Sequence, residues 1–153
     1  MAINDFISSY SKDEITDPLL LEFLDAVGGQ GYIDFEVLQS KDFMKYWPNI
    51  SIHRYEDEDF TYIHFGTQLV EHMKCERTGK RVLELTDHPR KEVLFDALME
   101  VHKNKKPMYT VGNLKIDGRE HKQWQQVKMP MQRNGGMNEV LSFIAYKPYE
   151  NWC

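Results

Sequence analysis

Six histidines, His53, His64, His72, His88, His102 and His121, are the residues of this 153-residue chain best equipped to bind a metal or move a proton. Zinc and protease sites repeat their ligands at short fixed spacings, because one helix or turn must present them to one ion. No HExxH, HxH or cysteine–histidine cluster of that kind occurs, and His64 and His72 fall in different predicted elements. Cys75 has His72 three residues earlier, a spacing that puts both on one helical face. A nucleophile also needs an oxyanion site, and no supporting motif accompanies the pair, so Cys75 is expected to be structural. The run Glu56-Asp57-Glu58-Asp59 offers oxygen ligands, but without the spacing or glycine of a calcium loop it reads as a solvated hairpin turn. Lys103, Lys105 and Lys106 suit a helix C-terminus better than a phosphate site.

The strands carry the more telling polar residues. Alternation places Phe60, Tyr62 and His64 on one face of their strand and Thr61, Ile63 and Phe65 on the other. Further on, Gln123, Gln125, Val127, Met129 and Met131 share a face opposite Trp124, Gln126 and Lys128; Leu141, Phe143 and Ala145 oppose Val140, Ser142, Ile144 and Tyr146. A polar group on an apolar inner face can orient a ligand. With the Gln125 face taken as inward, the candidate pocket residues are Tyr62, His64, Leu98, Gln125, Val127 and Met129. The competing reading makes them hydrogen-bonded core. Trp124, expected on the outer face, is a candidate partner contact.

These side chains need a scaffold. Residues 1–16 read as a flexible polar lead. Asp17-Pro18 is an N-cap followed by proline at the first helical position, and Leu19, Leu20, Phe23, Leu24 and Val27 form one apolar stripe that Gly28 ends. A second helix is expected over 35–46. Strands follow at 51–55 and 60–65, Gly66 breaks the second, and 67–73 reads as a short helix. The longest helix runs over about 87–103, burying Leu94, Leu98 and Val101. Strands at 108–116 and 121–131 flank the hairpin signal Asp117-Gly118. Asn134-Gly135-Gly136 turns the chain into a strand at 139–146. Tightly joined consecutive strands imply antiparallel pairing, hence an α+β class. The division is a lead at 1–16, a domain at 17–147 and a tail at 148–153.

Composition agrees with one folded domain: 41% hydrophobic and 28% charged residues. A formal charge of −5 disfavours nucleic acid and anionic membrane as partners. The N-terminus lacks a signal-peptide pattern, no apolar run is long enough to span a bilayer, and two cysteines fit a reducing compartment; the expected location is cytoplasmic.

The order of two strands, a helical middle and a three-strand meander resembles that of PAS sensor domains. Three stretches resemble a mostly alphaproteobacterial PAS-like family: Phe60-Thr61-Tyr62-Ile63-His64-Phe65-Gly66-Thr67-Gln68-Leu69-Val70, Thr78-Gly79-Lys80-Arg81-Val82-Leu83-Glu84-Leu85 and Val127-Lys128-Met129-Pro130-Met131. Ahead of Ser51, Tyr46-Trp47-Pro48 echoes only part of the family pattern. The resemblance implies a five-stranded antiparallel sheet with helices on one face, here with an extra N-terminal helical segment, and a stand-alone sensory or interaction domain rather than an enzyme. It also implies a homodimer, with Leu19, Leu20, Phe23, Leu24 and Val27 as the candidate interface; the alternative is that this stripe packs on its own sheet. A small apolar or aromatic ligand and a signalling protein partner are further expectations. No cofactor is expected: His102 is the one candidate haem ligand, and the surroundings of Cys75 do not match a flavin site. The rival readings are a small cone-fold isomerase or dehydratase and a ligand-free dimerisation module.

Overall fold

The computed structural model describes the backbone of residues 3–10, 12–116 and 119–148, and the side chains of 12–112 and 124–146. Its strands are β1 (Ile3–Tyr10), β2 (Ile33–Asp34), β3 (Ile50–Glu56), β4 (Asp59–Phe65), β5 (Met108–Ile116), β6 (Arg119–Arg133) and β7 (Gly136–Pro148). Its α-helices are α1 (Pro18–Val27), α2 (Phe35–Leu38), α3 (Thr67–Met73) and α4 (Lys91–Asn104), with 3-10 turns at Lys12–Glu14, Lys41–Asn49 and Val82–Glu84. The helix expected over 35–46 divides into α2 and the Lys41–Asn49 turn, with Pro48 near the end of the latter. Part of the expected lead forms β1, paired antiparallel with β5. The Asp117-Gly118 turn and the tail beyond Pro148 lie outside the described residues.

Local chemistry explains the boundaries. Asp17 caps α1 by accepting from Leu20 N at 2.9 Å, and Pro18 follows where no amide donor is needed. The two-residue hairpin between β3 and β4 puts Asp57 and Glu58 at positive φ, as does Asn134-Gly135 between β6 and β7; such turns match the twist of the strands they join. Gly66 is required by a close approach: a Cβ there would run into the carbonyls of Trp47 and Pro48.

The strands form one sheet in the order β1-β5-β6-β7-β3-β4, antiparallel throughout this path, while β2 adds a short parallel pairing to β6. The class is therefore α+β with one parallel pair, and the helices cover both faces rather than one. On one face α1, α2 and the Lys41–Asn49 turn bury Leu20, Phe23, Leu38, Phe43 and Tyr46 against Ile50, Ile52, Val127, Met129, Leu141 and Phe143. The Phe23 ring stacks on Phe143 at 4.8 Å and meets Tyr46 edge-on at 5.3 Å. On the other face α3, α4 and the Val82–Glu84 turn bury Leu69, Val82, Leu98 and Val101 against Phe60, Tyr62, Val140 and Ile144.

This arrangement corrects the expected dimer interface. Leu20, Phe23 and Leu24 are buried, and Leu19 and Val27 pack against the same cluster, so the stripe is used within the chain. Beyond β4 the connector at 78–81 pairs with the sheet: Tyr62 N donates to Lys80 O (2.9 Å) and Gly79 N to Tyr62 O (2.7 Å). Buried Asp59 accepts from Phe60 N and Leu83 N and lies 3.5 Å from Arg81 Nε, so the acidic turn anchors this connector. No helix among the described residues is long and apolar enough to cross a membrane.

Candidate functional site: a cationic cavity beneath the long helix

Directly opposed residues in an antiparallel sheet point to the same face, with Cβ atoms about 5 Å apart. The registers therefore lay out parallel rows beneath α4. Phe65, Ser51, Ser142, Lys128 and Met108 form one row; Tyr62, His53 and Val140 flank it on one side; Ile144, Gln126 and Thr110 flank it on the other, with Tyr146 and Trp124 beyond. Over these rows lies a cavity of about 650 Å³, roofed by Leu94, Ala97 and Val93 of α4 and closed by His72, Arg77, His88 and Arg90 from the preceding segments. Its volume falls in the range of ordinary small-molecule sites, about 300–1,000 Å³.

The apolar part of the lining includes Phe65, Met73, Leu94, Ala97, Met108, Trp124, Ile144 and Tyr146. The polar part includes the cations Lys128, Arg77 and Arg90 and the histidines His53, His72 and His88. Lys128 is buried; its Nζ donates to Gln126 Oε1 at 2.7 Å and Ser142 Oγ at 3.3 Å, both neutral acceptors. Loss of hydration brings its ammonium down to about 8. His53 is buried too, and neither ring nitrogen has a hydrogen-bond partner among the described residues. Burial, followed by the charges of Lys128, Arg77 and His88, keeps it neutral, well below the ordinary histidine range. Thr110 Oγ1 is likewise buried and unpartnered among the described residues. Buried Arg77 pairs with Asp87 (3.5 Å) and reaches the Tyr62 hydroxyl, while burial and the Arg77 charge lower His88 to about 4. The carboxylates of the lining, Asp96 and Glu100, sit on exposed positions of α4.

The sequence-derived pocket divides between the two faces. Tyr62 lines the cavity, and Leu98 is packed in the core beside it. Gln125, Val127 and Met129 face the α1 layer instead. Gln125 Oε1 accepts from Thr16 N (2.9 Å) and Asp17 N (2.8 Å), and its Nε2 donates to Thr16 Oγ1 (2.8 Å), so it is an anchor for the start of α1. His64 also lies on that side. A β-bulge pairs His53 with Tyr62 but Ile52 with His64, which leaves Ile63 unopposed and swaps the faces after Tyr62. His64 Nε2 is 3.2 Å from Trp47 O and its ring meets Trp47 edge-on. Phe65, expected on the opposite face, joins the cavity.

Lys128, His53, Ser51, Thr110 and Gln126 were not among the expected site residues, and Trp124 lines the cavity rather than an outer surface. The sequence signal for Lys128 is a lone cation in the apolar run 127–131, on a strand whose neighbour carries Ser142 among apolar residues. The remaining candidates resolve locally. Cys75 Sγ accepts from Arg77 Nε (3.3 Å), and the His72 ring stacks on Tyr146 at 4.3 Å. His102 lies 4.7 Å from the Tyr55 ring; burial and the nearby lysines lower its pKa, so it is a poor candidate for a charged helix cap. Lys105 Nζ ties the end of α4 to Met137 O (2.7 Å). Among the described residues, no three His, Cys, Asp or Glu side chains form a metal-binding group.

Chemically, this arrangement combines an apolar enclosure with a floor of buried donors and one buried ammonium. Compared with protein-family models, curated proteins and solved structures, the chain finds no match in any of the three.

Proposed function

We propose that this chain is a PAS-like sensory domain that holds a small, largely apolar or aromatic molecule between its sheet and α4, and that it signals through a second copy or a partner protein rather than by catalysis. The carrying observation is the cavity of about 650 Å³, with its aromatic and aliphatic lining and its buried His53 and Thr110, which have no hydrogen-bond partner among the described residues. Unsatisfied polar groups inside a protein are costly, and a ligand that accepts from them or donates to them removes that cost. The succession of two strands, a helical middle and a three-strand meander supports the PAS-like reading. Because the α1 stripe is consumed internally, a dimer contact must use other surface.

Native mass spectrometry of the purified protein, followed by denaturation, tests this directly. The expected result is a dimer carrying a small molecule that denaturation releases. Ala97→Trp, which fills the cavity from α4, should lose that mass while keeping the circular dichroism spectrum. A monomer without bound mass would sink both the dimer and the tightly held ligand.

A further inference from the structure

The cavity floor says more about its occupant than size alone. An ammonium withdrawn from water is costly unless an opposite charge compensates it. Lys128 has two neutral acceptors, Gln126 Oε1 and Ser142 Oγ, and no ion pair with a carboxylate among the described residues. On the neighbouring strand Thr110, opposite Gln126, adds a hydroxyl with no hydrogen-bond partner among the described residues; Ser51 and His53 lie further off, two strands away across β7. Arg77, Arg90, His72 and His88 surround the same space, and the acidic members of the lining, Asp96 and Glu100, stand on exposed positions of α4. In a chain of net charge −5, the buried charge on the floor of this cavity is the Lys128 ammonium.

We infer that the ligand is a small monocarboxylate with an aromatic or branched aliphatic body. Its carboxylate sits against Lys128 and accepts from the Thr110 hydroxyl, and its body lies between Trp124, Tyr146 and Ile144 below and Leu94 and Ala97 above. This assignment rests on the small-molecule-binding reading of the cavity and adds the ligand's charge. A carboxylate supplies a counter-charge that Lys128 does not find among the described residues, and accepts the hydrogen bond that Thr110 does not make there. A neutral molecule of the same shape supplies neither the charge nor the second strong acceptor oxygen.

The test compares 1-naphthylacetate with 1-naphthylacetamide by calorimetric titration, since the two share a body and differ in charge. The wild-type protein should bind the acid at least tenfold more tightly than the amide. Lys128→Met should bring that ratio to about one while leaving amide binding within about threefold, with folding checked by circular dichroism. Lys128→Gln, which retains a hydrogen-bonding group, provides the same reading if the methionine variant fails to fold. Amide binding as tight as acid binding, or a preference that survives loss of Lys128, overturns the carboxylate assignment and leaves the cavity reading standing. If neither compound binds at millimolar concentration, the cavity reading fails for aromatic ligands and the carboxylate assignment falls with it.

Discussion

Lys128 is held in its charged form against the cost of burial, and that cost has a pH signature. Its folded pKa of about 8 lies below the ordinary lysine value of 10.5. The unfolded chain therefore binds more protons between these two values, and stability rises with pH across that window. The penalty is fully present below pH 8 and is relieved as pH climbs toward 10.5; for a group this buried it is on the order of 3 kcal/mol. Lys128→Met should raise the melting temperature of the ligand-free protein at pH 7 and flatten its rise between pH 8 and 10.5. A melting profile unchanged by the substitution would mean that the ammonium is better solvated than its position implies. Sequence alone shows Lys128 as an odd cation in an apolar strand; it does not show that the strand is covered on both faces, which is what buries the charge.

Among the elements, α1 shows how one polar side chain fixes a whole helix. Gln125 reaches across from β6 to accept two backbone amides at Thr16 and Asp17, just before the helix begins. Gln125→Leu keeps the volume but strands both donors, and should cost about 2–3 kcal/mol in urea unfolding. A loss below 0.5 kcal/mol, the scale of ordinary surface changes at roughly ±0.5 kcal/mol, would show that water replaces the amide group. Most element positions are legible from local signals: the Asp17-Pro18 start, the Asn134-Gly135 turn and the aromatic β4 strand all act over a few residues. The faces are less so. Strict alternation assigns His64 to the cavity, but one unopposed residue, Ile63, reverses the remainder of β4, and nothing in its own side chain announces a bulge. The choice of inward face on β6 also goes astray, because its more apolar side is filled by the N-terminal layer while the mixed side lines the cavity.

At the scale of the molecule, two cores lie back to back on one sheet and share β7, whose alternate residues Phe143 and Ile144 belong to opposite clusters. Both cores are built on the same strands, so disruption of the sheet undoes both at once. Phe23→Ala on one side should cost about 3–5 kcal/mol and Leu98→Ala on the other about 2–5 kcal/mol. In urea each should move a single transition of unchanged slope, monitored by tryptophan fluorescence and circular dichroism together. Two separated transitions in either variant would show that the layers unfold independently. The α+β class follows from the succession of strand and helix signals. The second helical layer does not, because an apolar stripe looks the same whether it covers its own sheet or another chain.

The backbone pairing of the Gly79–Lys80 connector with Tyr62 bears on how the β4 edge of the sheet is kept from pairing with strands of other chains. An uncovered boundary strand presents a row of free amides and carbonyls on which another chain can add a strand, the first step toward β-aggregation. Here the connector occupies that position along the middle of β4, and Arg81 holds it down through the carbonyls of Glu56 and Asp57. The strand richest in aromatic residues is thus shielded where intermolecular zippering would otherwise be most favourable. The segment that leads toward α4 and the cavity also covers the β4 edge of the sheet against strand addition.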